Sequence, residues 1–265
     1  MIVDAHTHLL PERLNAAIRR FFAERITGAD VMLYPWEPIA ARERVLAAGI
    51  ERCWNLPYVR QAGAASKLNR WMAETYAADP VVVPGATVHP DDDVQAVLDE
   101  ALDELGLRLL KLHCSVGGHR PDDPRLDPLW ARVSEDGQPV VLHAGSAVHG
   151  VTTPTEIEAV GRVACRWPDA RIVVAHCGAP SIEATLALLR ETRSVYADLT
   201  PRIQDPAPLD RAQIAGLEHR LLFGTDAPNA GVAIEDSLAQ IRAWRLDPSE
   251  EAAILGGNAE RLVPS

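Results

Sequence analysis

Apolar residues in this chain fall into short runs, separated by longer stretches in which they recur every three or four positions. Eight runs stand out: Ile2–His8, Ile50–Leu56, Val81–His89, Arg108–His113, Pro139–Gly145, Arg171–Gly178, Ser194–Leu199 and Leu221–Asp226. Most are nearly continuous in Val, Ile, Leu and Ala, which suits parallel strands buried on both faces. Between them the period lengthens to that of helices. Asp91, Asp92 and Asp93 open one, because acidic side chains favour a helix N-terminus. Val94, Val97, Leu98, Ala101, Leu102 and Leu105 then mark its apolar face, and Gly106 ends it. Asp127-Pro128 starts a second helix that ends at Gly137, and Thr153-Pro154 starts a third. Segments 181–192 and 236–246 read the same way.

Eight strands alternating with helices over about 250 residues predict an α/β fold, the (β/α)₈ TIM barrel. A doubly wound open sheet is the alternative, but no G-x-G-x-x-G or P-loop follows the first run. No linker or composition break divides residues 1–265, so a single domain is expected. The one oversized connection, Leu9 to Gly49, predicts an extra helix (Leu14, Ala17, Ile18, Phe21) and an aromatic loop, Tyr34-Pro35-Trp36. It is a candidate pocket wall or lid, barrel plug or dimer contact.

Composition narrows the function classes. Hydrophobic residues are 47% and charged residues 24% of the 265, ordinary for a chain with a large core. A formal net charge of −11 disfavours a nucleic-acid partner, which needs clustered Lys and Arg. A small-molecule substrate is expected, with no membrane partner, since no apolar run approaches the ~18 residues of a membrane span. No secretory signal is visible, and the four cysteines form no C-x-x-C pattern, so a cytoplasmic location is expected.

The nine histidines are not scattered. His6, His8, His89, His113, His143 and His176 fall at or near the ends of predicted strands, and His149 follows one. In a barrel those ends meet on the face where active sites are built. In VDAHTHLLP, residues two apart on a strand share a face, so His6 and His8 face the same way and Asp4 is expected with them. His6 and His8 would supply two metal-ligating nitrogens, His143 in VVLHAG a third, and Asp226 in LLFGTDAP an oxygen. That leaves a place for water, as a catalytic zinc requires. His176 in IVVAHCG would bind a second metal or orient water or substrate. Lys111 shares a strand face with His113. It would bind a substrate carboxylate, or bridge two metals as a carbamate, or pair with a buried carboxylate such as Asp4. Arg60, Arg120 and Arg202 each follow a strand and could hold a carboxylate, Arg202 first among them.

These motifs resemble the amidohydrolase superfamily: H-T-H on strand 1, H-A-G on strand 5, A-H-C-G on strand 6 and G-T-D-A-P on strand 8. The stretch KLHCSVGGHRPDDPRLDPLWARVSEDGQPVVLHAG and the C-terminal ILGGNAERLV are similar to its amidohydrolase-2 branch. The resemblance implies a distorted TIM barrel with one or two divalent metals, zinc first and manganese as the alternative. It implies His6, His8, His143 and Asp226 as the single-metal ligands, with Lys111 and His176 joining if a second metal binds. A metal-activated water would attack an amide, ester or lactone carbonyl, with Asp226 and His176 as catalytic residues and Lys111, His113 and Arg202 binding substrate. Non-oxidative decarboxylation is the alternative reaction in the same branch, for which the chain looks short. A TatD-type nuclease would carry glutamate where this chain has Lys111. A non-catalytic binding protein would be expected to have lost a ligand. A homodimer is compatible with all of these.

Overall fold

A computed structural model describes residues 1–24, 33–144, 154–201, 209–229 and 231–263. The apolar runs form parallel strands: β1 (Val3–Thr7), β2 (Arg52–Asn55), β3 (Val82–Pro84), β4 (Ala86–Thr87), β5 (Leu110–His113), β6 (Val140–His143), β7 (Ile172–Val174), β8 (Val195–Asp198) and β9 (Leu221–Leu222). Each hydrogen-bonds to its sequence neighbour, in the orders β1-β2-β3 and β4 to β9. The third expected strand is split into β3 and β4 around Gly85, whose N–H still donates to Asn55 O (2.9 Å). Beyond β9 the chain returns to β1. Ala5 N–H donates to Phe223 O (2.9 Å), Asp226 N–H to His6 O (2.8 Å) and His8 N–H to Ala227 O (2.7 Å). The last strand therefore lies beside the first, as in a TIM barrel.

Alternate side chains divide the interior into two cores. Val3, Ala5, Trp54, Leu56, Val83, Leu109, Val141, Val173 and Leu222 form one cluster, joined by Ala259 and Leu262 of the terminal helix Asn258–Leu262. Their strand neighbours Cys53, Leu110, Leu112, Val140, Leu142, Ile172, Val174 and Leu221 belong to the larger cluster under the helices. Burial on both sides explains the continuous apolar runs. The smaller cluster is the barrel filling, and Lys111 and His143 stand two residues further along the strands carrying Leu109 and Val141.

The helices form where acidic and proline starts predict them. Asp93 accepts from Ala96 N–H (3.1 Å) and opens helix Val94–Leu98, which widens to π geometry over Asp99–Glu104. Asp127–Asp136 ends at Gly137, with φ +79°. The long connection contains helices Glu12–Ala23 and Pro38–Ala47. Its aromatic loop is anchored: Tyr34 Oη donates to Val232 O (2.8 Å) and accepts from Ile234 N–H (2.7 Å). Among the described residues no helix is long and apolar enough to cross a membrane.

Candidate active site

The first strand is not regular. Its pairing with β2 shifts between Asp4 and Thr7. Asp4 stands opposite Cys53 of the outer core, whereas Ala5 belongs to the barrel filling. The irregularity breaks strict alternation, so the expectation that Asp4 shares the face of His6 and His8 is corrected. Asp4 is fully buried and accepts from Thr225 Oγ1 (2.6 Å), Thr225 N–H (3.1 Å) and His6 N–H (3.0 Å). It pins β1 to the segment carrying Asp226, and it is not the partner of Lys111.

His6 and His8 do converge, and their outer partners fix their chemistry. His6 Nδ1 lies 2.9 Å from Asp198 Oδ2, and His8 Nδ1 lies 2.6 Å from Leu56 O. Both partners can only accept, so both Nδ1 atoms carry the proton. Each ring therefore turns its Nε2 toward the centre of the site. Those two atoms are 3.2 Å apart, and His8 Nε2 is 3.0 Å from Asp226 Oδ1. Burial first, then the Lys111 charge, pushes His6 down to about 3, which keeps it neutral. Two ring nitrogens and a carboxylate oxygen at such distances are placed to share one cation. Oriented imidazoles backed by a carboxylate and a carbonyl are what a metal ligand set requires.

His176 completes the group. Its ligand atom, one from His6 and one from Asp226 all lie within 4.8 Å of one another. Its Nδ1 is buried without a hydrogen-bond partner. The expected sixth strand stops at Val174, so His176 is not on a strand. It occupies the 3₁₀ turn Ala175–Gly178, where His176, Cys177 and Gly178 all have positive φ (53°, 48° and 67°). This differs from the regular strand expected over Arg171–Gly178. A Cβ on Gly178 would lie 2.1 Å from Thr185 Oγ1, so the turn requires glycine. His176 N–H donates to Asp198 Oδ1 (2.8 Å).

His143 lies beside this group. β5 and β6 pair in register, His113 opposite His143, and their rings stack at 4.1 Å and 11°. The His143 ring is 4.9 Å from that of His176, but its nitrogens are not among the three mutually close ligand atoms. Lys111 is fully buried, with Nζ 3.3 Å from His6 Nε2. Burial pushes it down to about 8, against the pull of Asp198 and Asp226. His6 Nε2 can serve a metal ion or Lys111, not both, so an ion there would leave the ammonium for another acceptor.

Other candidates stand further off. Arg60 is exposed, and Arg120 is held by exposed contacts to Asp122. Arg202 and His149 lie outside the described residues. His89 accepts from Asp91 N–H (3.2 Å) and adjoins His119, away from the ligand group. Two residues were missed in the sequence. Asp198 ends β8 in VYADLT, a carboxylate at a strand end, which was the available signal. Tyr58 follows β2, and its ring contacts His8 (5.2 Å) and His113 (4.9 Å). Burial first, then the Asp226 carboxylate, raises the Tyr58 hydroxyl above its ordinary value.

Residues 3–264 match the family described as amidohydrolase. No curated protein matches the chain. Among solved structures, it is similar to an uncharacterized TIM-barrel protein from Bordetella bronchiseptica, at 24% identity and TM-score 0.75, over 98% of this chain and 97% of that one. It is similar to 5-carboxyvanillate decarboxylase from Sphingomonas paucimobilis, at 16% identity and TM-score 0.71, over 99% and 98%. It is also similar to the decarboxylase of that name from Novosphingobium aromaticivorans, with bound manganese and 3-methoxy-4-hydroxy-5-nitrobenzoic acid, at 15% identity and TM-score 0.70, over 99% and 96%. These likenesses establish the TIM-barrel fold.

Proposed function

The chain belongs to the amidohydrolase family, and we propose that it is a metal-dependent, non-oxidative decarboxylase of a small hydroxylated aromatic or enolic acid. The observation that carries this reading is a fully buried lysine beside the proposed ligands, suited to hold an anion. Lys111 Nζ lies 3.3 Å from a ligand nitrogen, next to the stacked imidazoles of His113 and His143. Burial strips water from a carboxylate bound there, and loss of carbon dioxide removes that charge. Two of the structurally similar proteins are decarboxylases of a hydroxylated aromatic acid. The chain matches 98% and 96% of their lengths, so the argument that it is too short for this reaction falls away.

His6, His8, His176 and Asp226 are the proposed ligands, with His143, whose ring lies 4.9 Å from that of His176, a further candidate; manganese and zinc both suit nitrogen and carboxylate oxygen. A divalent ion held there supplies positive charge to anionic oxygens of the substrate. Lys111 and His113 hold the substrate carboxylate, and Arg202 remains a proposed contact. Asp226, itself held ionised, relays a proton taken from water to the ring carbon bearing the carboxylate. The bond from that carbon to the carboxylate then breaks, its electron pair restores the ring, and carbon dioxide leaves. One proton is consumed for each carboxylate lost.

Hydrolysis is the second reading, because Asp226 is also the carboxylate placed to accept a proton from water. Manganese- and zinc-loaded protein should be offered hydroxybenzoates, lactones and amides, with carbon dioxide trapped and new acid titrated. Carbon dioxide release from a hydroxybenzoate is expected. Turnover of lactones or amides with no carbon dioxide from any acid would replace this reading with hydrolysis.

A further inference from the structure

Tyr58 is well placed to meet the substrate, yet no motif singles it out. Its ring touches His8, a proposed ligand, and His113, a proposed substrate contact, at centroid distances of 5.2 and 4.9 Å. The contact with His8 is edge to face, at 88°. The residue is half-buried, between the sealed barrel interior and solvent. Among the described residues its hydroxyl makes no hydrogen bond, unlike Tyr34 and Tyr76, whose hydroxyls donate to Val232 O and Leu9 O. A tyrosine that buries its ring ordinarily spends its O–H on a partner. The hydroxyl is not sealed in the interior, so a donor between a proposed ligand histidine and a proposed substrate contact is open to an acceptor that arrives with the substrate.

We infer that Tyr58 is a substrate-binding residue whose hydroxyl donates a hydrogen bond to an anionic oxygen of the substrate. The inference rests on the reading of this site as one for a small aromatic acid. A hydrogen bond to a charged oxygen is stronger than one between neutral groups. Tyr58→Phe deletes that bond and keeps the ring against His8 and His113, so the ligand group should be undisturbed.

The test is calorimetric binding to manganese-loaded protein. The probes are 2-hydroxybenzenesulfonate, an aromatic anion that cannot lose carbon dioxide, and phenol, its uncharged control. Tyr58→Phe should weaken the sulfonate about 10-fold and leave phenol binding and manganese affinity unchanged. Any substrate found for the enzyme should show a raised KM with kcat little altered. Equal sulfonate affinity in wild type and Tyr58→Phe would overturn the role of Tyr58 and leave the aromatic-acid reading standing. Equal weakening of both probes would also overturn it, since the hydroxyl would then be shaping the pocket and not reading charge. Absence of sulfonate binding to the wild type would overturn both the inference and the reading beneath it.

Discussion

At the scale of single residues, the site depends on atoms that never face the substrate. Asp198 has two acceptor duties: one oxygen takes the proton of His6 Nδ1, and the other takes His176 N–H (2.8 Å) and Thr200 N–H (3.2 Å). Asparagine has one acceptor oxygen and cannot perform both. If its amide nitrogen faces His6, the ring must carry its proton on Nε2, where the metal should sit. Asp198→Asn should therefore lower manganese affinity about 10- to 100-fold in protein whose circular dichroism is unchanged; titration with a competing chelator measures it, and wild-type affinity would remove Asp198 from the ligand scheme. A second titration separates His143 from His176. The family resemblance puts His143 on the ion, whereas the described geometry groups His176 with His6 and Asp226. His176→Ala should cost more metal affinity than His143→Ala, and the reverse order would restore the resemblance-based set. Histidines in H-x-H and strand-end positions were legible because their spacing is local. Asp198 was not, because its role comes from contacts with His6 and His176, 192 and 22 residues away.

At the scale of elements, the alternation rule found the strands and misplaced what lies at their ends. It presumes regular extended backbone. The register shift in β1 turns the Asp4 side chain away from the His6 and His8 imidazoles, and the positive-φ turn after β7 aims His176 by backbone twist. Neither irregularity has a periodic signature, since each is imposed by packing against a distant strand. Gly224 exposes how tight that packing is. A Cβ there would lie 2.2 Å from Thr200 Oγ1 and 3.0 Å from His6 Cβ. Gly224→Ala should destabilise the protein by about 1–3 kcal/mol and weaken metal binding as well, because His6 must move; unaltered urea midpoint and metal affinity would count against this packing. The long connection after β1 offers a test without the site. Tyr34→Phe leaves buried Ile234 N–H without its acceptor and should cost about 1–3 kcal/mol, read by urea denaturation, with manganese affinity unchanged.

At the scale of the whole molecule, the two cores place the site. The filling of the barrel is apolar through the first half of the strands, from Val3 and Leu109 to Val141 and Leu222. Above it lie Lys111 and the imidazoles, enclosed by the same ring of strands and therefore poor in water. That layering was legible, because buried parallel strands read as continuous apolar runs whose last residues turn polar. The gathered ring nitrogens and carboxylate exist in the folded state alone, since the unfolded chain disperses them. An ion that binds the folded site and not the unfolded chain must therefore stabilise the protein. At 100 times the dissociation constant, the gain is about 2.7 kcal/mol, equivalent to a rise in Tm of about 5–10 °C for a domain of this size. Manganese or zinc added to chelator-treated protein should produce that rise. In Asp226→Asn it should shrink, because the amide presents a dipole where the carboxylate presented a full charge. A wild-type Tm indifferent to both metals would mean that Lys111, through its contact with His6 Nε2, is the only cation this site needs.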